Sequence, residues 1–165
     1  MPLNVSMKNE SLYESSRQGD VERIRAFLES SSALNEPDPK TGMTLLHYAC
    51  HGEQAKIVEL LCMDPRQNIN AQDNDGWTAL HFAADRGSSE IVSNLIKIGA
   101  NGTIADTFRK TPLHYVAGNG NYSVAQLMVT AFPQTRNMKS LSEKTPYDLA
   151  LANHRDNVLG ILDPR

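Results

Sequence analysis

The sequence predicts an all-α solenoid, a stack of small helix-turn-helix units, and a repeated motif is the first reason. Thr44-Leu-Leu-His47, Thr78-Ala-Leu-His81 and Thr111-Pro-Leu-His114 recur at steps of 34 and 33 residues, and a weaker copy, Thr145-Pro-Tyr-Asp148, follows 34 residues later. A period of this size, with the same residue types in phase, is typical of stacked units rather than of one globule. The total of 165 residues suits a single domain made of about five such units.

Composition limits the class of protein and the class of partner. The formal net charge is -3 and no cluster of Lys and Arg occurs, so we do not expect nucleic acid as a partner. No apolar stretch approaches the roughly 18 residues of a membrane span, and the first eight residues lack the apolar run of a signal peptide. Two cysteines, Cys50 and Cys62, fit a reducing compartment. We therefore expect no membrane insertion and a cytoplasmic location, with the nucleus as a further option.

The copy at residues 73–100 shows how one unit folds. Its first four residues, Asp-Asn-Asp-Gly, are turn formers. Thr78 is placed to cap a short helix over 79–86, which Gly87 ends in the left-handed conformation. A second helix follows over about 89–98, and its apolar residues share one face: Ile91, Val92, Leu95 and Ile96. Neither helix is long enough to be stable alone, so each needs the neighbouring copies to bury its apolar face.

These strings together resemble the ankyrin repeat: Thr-Pro-Leu-His, then Ala-Ala-x-x-Gly, then an Ile-Val-x-x-Leu helix and Gly-Ala. The resemblance covers residues 11–162 and implies a curved solenoid in which a β-hairpin finger precedes two antiparallel helices. The expected organisation is an N-terminal tail at 1–10, one domain at 11–162 with repeats at about 11–34, 39–72, 73–105, 106–139 and 140–162, and a C-terminal end at 163–165. The outer two repeats are atypical, as capping units are.

Four places depart from the pattern, and the first is in the second copy, which has Asp64-Pro-Arg-Gln where Gly-Ala is usual, plus one inserted residue. Gly52 comes early for the glycine that ends a first helix, and Asp148 replaces the motif histidine in the last copy. The fourth copy ends with Ala131-Phe-Pro-Gln instead of Gly-Ala. We expect the local geometry to vary at these places while the fold is kept.

The motif histidines invite a metal or catalytic interpretation, which their spacing disfavours. The resemblance implies that each bonds the backbone and threonine beside it. Copies in separate layers lie roughly 10 Å apart, too far to share one ion whose bonds are near 2 Å. His47, Cys50 and His51 form a denser cluster, but no fourth ligand follows at zinc-site spacing, and a buried cysteine usually acts as a small hydrophobe. We expect no metal, no cofactor and no catalytic residue.

With no metal or catalytic site expected, the candidate functional feature is a binding surface. In the ankyrin pattern the fingers and the exposed ends of the first helices line one concave surface, here called the finger face. Its candidate partner-binding residues are Met43, His51, Asn74, Asp75, Trp77, Asp85, Arg86, Phe108, Lys110 and Asn119. Trp77 and Phe108 are expected to be near neighbours, flanked by Met43, and aromatic residues beside Arg86 are typical of interface hot spots. The alternative is that Trp77 packs flat on the adjacent finger.

These observations favour a non-catalytic protein-interaction module, such as an adaptor, a chaperone-like partner or a stoichiometric inhibitor. It would bind another protein through the finger face and be a monomer on its own. The alternative is an ankyrin segment of a larger enzyme or channel whose chemistry lies outside this chain. A metal- or thiol-dependent enzyme is a third hypothesis, and it rests on His47, Cys50 and His51 alone.

Overall fold

The computed structural model describes residues 5–31 and 33–163, and these residues form a row of paired antiparallel helices. The pairs are α1 (Val5–Gln18) and α2 (Val21–Ser30), α3 (Leu45–His51) and α4 (Ala55–Cys62), α5 (Ala79–Arg86) and α6 (Ser89–Lys97), α7 (Pro112–Asn119) and α8 (Tyr122–Ala131), and α9 (Pro146–Ala152) and α10 (Asp156–Leu162). The first helices pack against one another in one layer and the second helices in another. The described residues contain no strand, so the predicted all-α solenoid is confirmed.

Helix α5 shows why the sequence folds this way locally. Thr78 has an extended backbone and begins the helix, and Gly87 ends it with φ of 77°. The predicted limits at 79–86 are confirmed, and α6 begins at the predicted residue and ends one residue earlier than expected. Helix α1 differs more, because it begins at Val5, inside the segment predicted as a tail at 1–10. Residues 5–10 contain neither proline nor glycine, so nothing in their sequence interrupts a helix.

Each motif histidine joins its own repeat to the next one. The backbone N–H of Thr78 donates to Nδ1 of His81 at 3.1 Å, so Nε2 carries the proton and donates to the Lys110 carbonyl at 3.1 Å. His114 makes the same pair of bonds, ending on the Lys144 carbonyl at 3.2 Å. His47 ends on two carbonyls, those of Ala71 and Trp77, each at 3.0 Å. The predicted structural role of these histidines is confirmed.

The fingers are tight turns rather than paired strands. Each is closed by one backbone bond across its base, from Asp38 to Met43, Asp73 to Trp77, Asp106 to Lys110 and Ser140 to Lys144. Neighbouring fingers are linked by one further backbone bond each, from Asn74 to Thr41, Thr107 to Asp75 and Leu141 to Phe108, at 2.9–3.0 Å. The expected hairpin fingers are therefore present as a chain of linked turns without β-sheet.

Three of these departures change the structure only locally. At the end of α3, Gly52 has a negative φ and Glu53 takes the left-handed conformation, with φ of 57°. Gly52 is needed because a Cβ there would lie 1.9 Å from the carbonyl oxygen of Arg17 in α1. Asp148 accepts the Thr145 N–H at 2.9 Å and so keeps the local half of the histidine's role. In the fourth copy, a short 3-10 helix at Pro133–Asn137 follows Phe132.

The core lies between the two helix layers. Small residues with no exposed surface let the first helices approach closely: Ala49, Ala83, Ala84 and Ala117. Larger side chains of the second helices fill the space between repeats, among them Ile57, Leu61, Ile91, Leu95, Val124 and Met128. Within the described residues, no helix has both the length and the apolar character needed to cross a bilayer.

Candidate functional site

An aromatic row runs along the finger face. The residue after each motif histidine is aromatic, giving Tyr48, Phe82 and Tyr115 on consecutive first helices, each half-buried. Tyr48 stacks on Tyr13 of α1 with ring centroids 5.4 Å apart. Sequence reasoning missed these residues, although their spacing of 34 and 33 residues repeats that of the motif itself. Because each follows a structural histidine, the sequence did not indicate that its ring is partly exposed.

Trp77 packs into this row. Its ring centroid lies 4.8 Å from that of Phe82 and 4.5 Å from that of Tyr115, in tilted arrangements. Trp77 therefore packs on the first helices of its own and the next repeat, whereas the alternative prediction had placed it on the adjacent finger. It is half-buried, and its accessible part faces the cavity described next.

A cavity of about 360 Å³ opens between the second and third fingers. Its lining residues are Asp73, Asp75, Trp77, Phe82, Phe108 and Tyr115. Phe108 is 59% exposed, a large fraction for a phenylalanine. Trp77 and Phe108 thus line one cavity, as expected for near neighbours, while Met43 belongs to the preceding finger and does not line it.

An aspartate stands at the base of three fingers, and its surroundings differ between repeats. Asp38 accepts the hydroxyl of Tyr48 at 2.5 Å, and Asp106 accepts the hydroxyl of Tyr115. Burial acts to raise the pKa of Asp38, but the Tyr48 hydroxyl and the Lys40 N–H outweigh it and the pKa is lowered.

Asp73 differs from these two aspartates, because it accepts hydrogen bonds from the backbone N–H groups of Asp75 and Trp77 at 3.0 and 2.8 Å. Its repeat has Phe82 in place of tyrosine, and burial raises the pKa of Asp73.

The other predicted binding residues connect adjacent repeats. Asn119 donates to the backbone and side-chain oxygens of Asp85 at 2.9 and 3.0 Å. Arg86 donates to Nε2 of His51 at 2.7 Å, which requires that this nitrogen be unprotonated. Burial first, and then the charge of Arg86, lowers the pKa of His51 and favours that form.

Two further candidates lie on the fingers. Asn74 donates to the Lys40 carbonyl at 3.2 Å, and the ammonium of Lys110 lies 5.3 Å from the centre of the Tyr115 ring. These side chains are held in place by their neighbours, so the face presents a fixed pattern.

The cluster of His47, Cys50 and His51 does not form a site. The Nε2 of His47 is bound to the Ala71 and Trp77 carbonyls, His51 pairs with Arg86, and Cys50 is fully buried. Burial raises the pKa of the Cys50 thiol, which disfavours the nucleophilic thiolate. In residues 5–31 and 33–163, no three His, Cys, Asp or Glu side chains are arranged to hold a metal ion.

Comparison with known proteins agrees with this geometry. The family described as ankyrin repeats, in three copies, matches residues 12–106. The chain belongs to the ankyrin-repeat family. Ankyrin repeats indicate a protein–protein interaction module, and their fold is generally non-catalytic.

Similar segments occur in much longer proteins. The chain is 29% identical over 140 residues to neurogenic locus notch homolog protein 1 of Xenopus tropicalis, covering 85% of this chain and 6% of that protein. It is 32% identical over 132 residues to the probable E3 ubiquitin-protein ligase XBOS33 of Oryza sativa subsp. japonica, covering 79% and 25%. It is 33% identical over 111 residues to the human transient receptor potential cation channel subfamily A member 1, covering 66% and 9%. The chain thus spans a quarter or less of these curated relatives.

Proposed function

We propose that this chain is a non-catalytic adaptor, chaperone-like partner or stoichiometric inhibitor that binds another protein through its finger face. The observation that carries the proposal is the aromatic cavity with Phe108, 59% exposed, at its rim. Nothing in the ankyrin fold requires a large apolar side chain at that finger position. A clustered exposed apolar patch usually marks an interaction site, and aromatic residues dominate interface hot spots.

Rigidity of the face supports the same proposal. The finger-to-finger backbone bonds and the side-chain bonds between Asp85 and Asn119 hold the surface in one arrangement before a partner arrives. A surface that is already ordered loses little conformational entropy on binding, so more of the contact energy appears as affinity. The free thiols Cys50 and Cys62 fit the cytoplasmic location that belongs to this proposal.

A second candidate function is that the module serves a larger enzyme or channel. The observation that favours it is the small share of each relative that the chain spans, 6% to 25%, including a cation channel and a probable ubiquitin ligase. The finger face would have the same task in either case, because repeat stacks use their concave surface for binding whether or not further domains share the chain.

The test compares three forms of the protein in affinity capture from native cells, followed by mass spectrometry. Phe108→Ala removes the exposed ring of the finger face, and Lys97→Ala changes an exposed residue of the second-helix layer as the matched control. We expect specific proteins retained by the wild type and by Lys97→Ala but lost with Phe108→Ala. Retention of the same proteins by all three forms would remove the finger face as the binding surface.

A further inference from the structure

The cavity between the second and third fingers combines aromatic walls with two carboxylates. Trp77, Phe82, Phe108 and Tyr115 supply the rings, and Asp73 and Asp75 supply the negative charge. A ring face attracts cations through its quadrupole, and a carboxylate beside the ring attracts the same ligand. An apolar side chain of a partner would need only apolar walls. The carboxylates beside the rings therefore point to a cationic occupant.

Asp73 is the group that most needs such an occupant. The equivalent aspartates, Asp38 and Asp106, each receive a tyrosine hydroxyl, but Phe82 stands at that position in this repeat. Among the residues that the structure describes, no side chain donates to Asp73, and its contacts come from backbone N–H groups. A partner that covered the cavity without offering a donor would strip water from this carboxylate and incur the desolvation cost.

We propose that the cavity receives an arginine side chain of the partner protein, a step that rests on the proposed function. A guanidinium is planar, so it lies flat on an exposed ring such as Phe108 while its N–H groups donate to Asp73 or Asp75. A lysine ammonium provides the charge without the planar face, and a quaternary ammonium provides no donor. The Lys110 ammonium lies 5.3 Å from the centre of the Tyr115 ring, so that ring already faces a cation and we place the guanidinium on Phe108 instead.

The experiment uses the only tryptophan of the chain as its reporter. Trp77 fluorescence and its indole N–H resonance are followed during titration with N-acetyl-arginine-methylamide, and with the matching lysine and citrulline compounds. Citrulline keeps the planar shape and loses the charge. We expect saturable binding of the arginine compound at about 1–10 mM, the scale of a ligand with few contacts. The lysine compound should bind several-fold more weakly and the citrulline compound should not saturate.

Two variants locate the binding. Asp73→Asn keeps an oxygen for the Trp77 N–H and removes the charge, so it should weaken arginine binding about 5- to 10-fold, the scale of the net contribution of one hydrogen bond. Phe108→Ala removes an exposed ring and should also weaken binding of the arginine compound. Because the ring is exposed, this variant keeps the test valid if Asp73→Asn fails to fold. Equal binding of the arginine and citrulline compounds, tighter binding of lysine, or no effect of either variant would overturn the assignment.

Failure of this inference is distinguishable from failure of the proposed function. If Phe108→Ala loses the captured partner but the arginine compound never binds, the finger face remains the binding surface and the arginine assignment is wrong. If the arginine compound binds near Trp77 but capture is unaffected by Phe108→Ala, the cavity takes a cation and the proposed partner surface lies elsewhere.

Discussion

Single residues fix the stacking of the repeats, and the motif histidine is the clearest case. His81 has no exposed surface, and its two ring nitrogens connect Thr78 in its own repeat to the Lys110 carbonyl in the next. His81→Ala should lower the free energy of unfolding by about 1–3 kcal/mol, because a buried donor and a buried acceptor lose their partner. Urea denaturation measures this, with Lys97→Ala as the surface control. Unchanged stability of His81→Ala would contradict the structural role.

The same histidines set the response to acid. Burial, as the largest cause, lowers the pKa of His47 and of His81 from 6.5 to about 4. Between these pH values the unfolded chain binds more protons than the folded one, so stability falls as the pH falls from about 6.5 to 4. The shift corresponds to about 3 kcal/mol for each histidine when fully expressed. The urea midpoint measured from pH 7 to pH 4 should decrease steadily, and a flat profile would show that folding does not lower the pKa of these rings.

Sequence reasoning at this scale succeeds where one residue carries a local signal. Thr78 and Gly87 begin and end α5 where predicted, because a cap and a left-handed glycine act on their own segment. Glu53 and His154 also adopt the left-handed conformation, with φ of 57° and 55°. Neither is a glycine, so the sequence does not predict this conformation there. The partners of Trp77 were missed for a different reason, since Tyr115 becomes its neighbour only when the repeats stack.

At the scale of elements, helix packing places opposite demands on two glycines. Gly52 lies where a Cβ would be 1.9 Å from the Arg17 carbonyl oxygen, whereas a Cβ on Gly160 in α10 would meet no neighbouring atom of the described residues within 4 Å. Gly52→Ala must push α1 and α3 apart, so it should cost about 1–3 kcal/mol, the scale of overpacking. Gly160→Ala lies inside a helix with free space and should gain about 0.5–1 kcal/mol.

Thermal denaturation of the two variants beside the wild type measures both effects. Because the substitution is the same, any difference in sign comes from the surroundings of each glycine. A loss of stability for Gly160→Ala, or no loss for Gly52→Ala, would contradict the described packing of α10 or of α1 against α3.

For the whole molecule, the ten-helix architecture of the described residues followed from the period, while the arrangement of the finger face did not. The period indicates which residues are equivalent, so it predicts that Trp77 and Phe108 lie on consecutive fingers. It does not indicate that Asp73 lacks the tyrosine hydroxyl that Asp38 receives, because that contact depends on side-chain reach between a finger and a helix. In this chain the residues that recur from repeat to repeat indicate the fold, and the residues that differ between repeats indicate the candidate site.

Trp77 and Phe108 line the same cavity in different surroundings, so Trp77→Ala and Phe108→Ala should have different effects. Both rings line the cavity, so each variant should weaken partner binding by about 2 kcal/mol or more, the hot-spot scale. Trp77 also packs on Phe82 and Tyr115, so its removal should lower stability by about 1–3 kcal/mol as well. Because the Phe108 side chain is 59% exposed, Phe108→Ala should leave the melting temperature unchanged. Binding by calorimetry with the captured partner, together with thermal melting, separates the two roles. If Phe108→Ala melts early while binding is kept, the ring is structural and the finger face loses its most exposed contact.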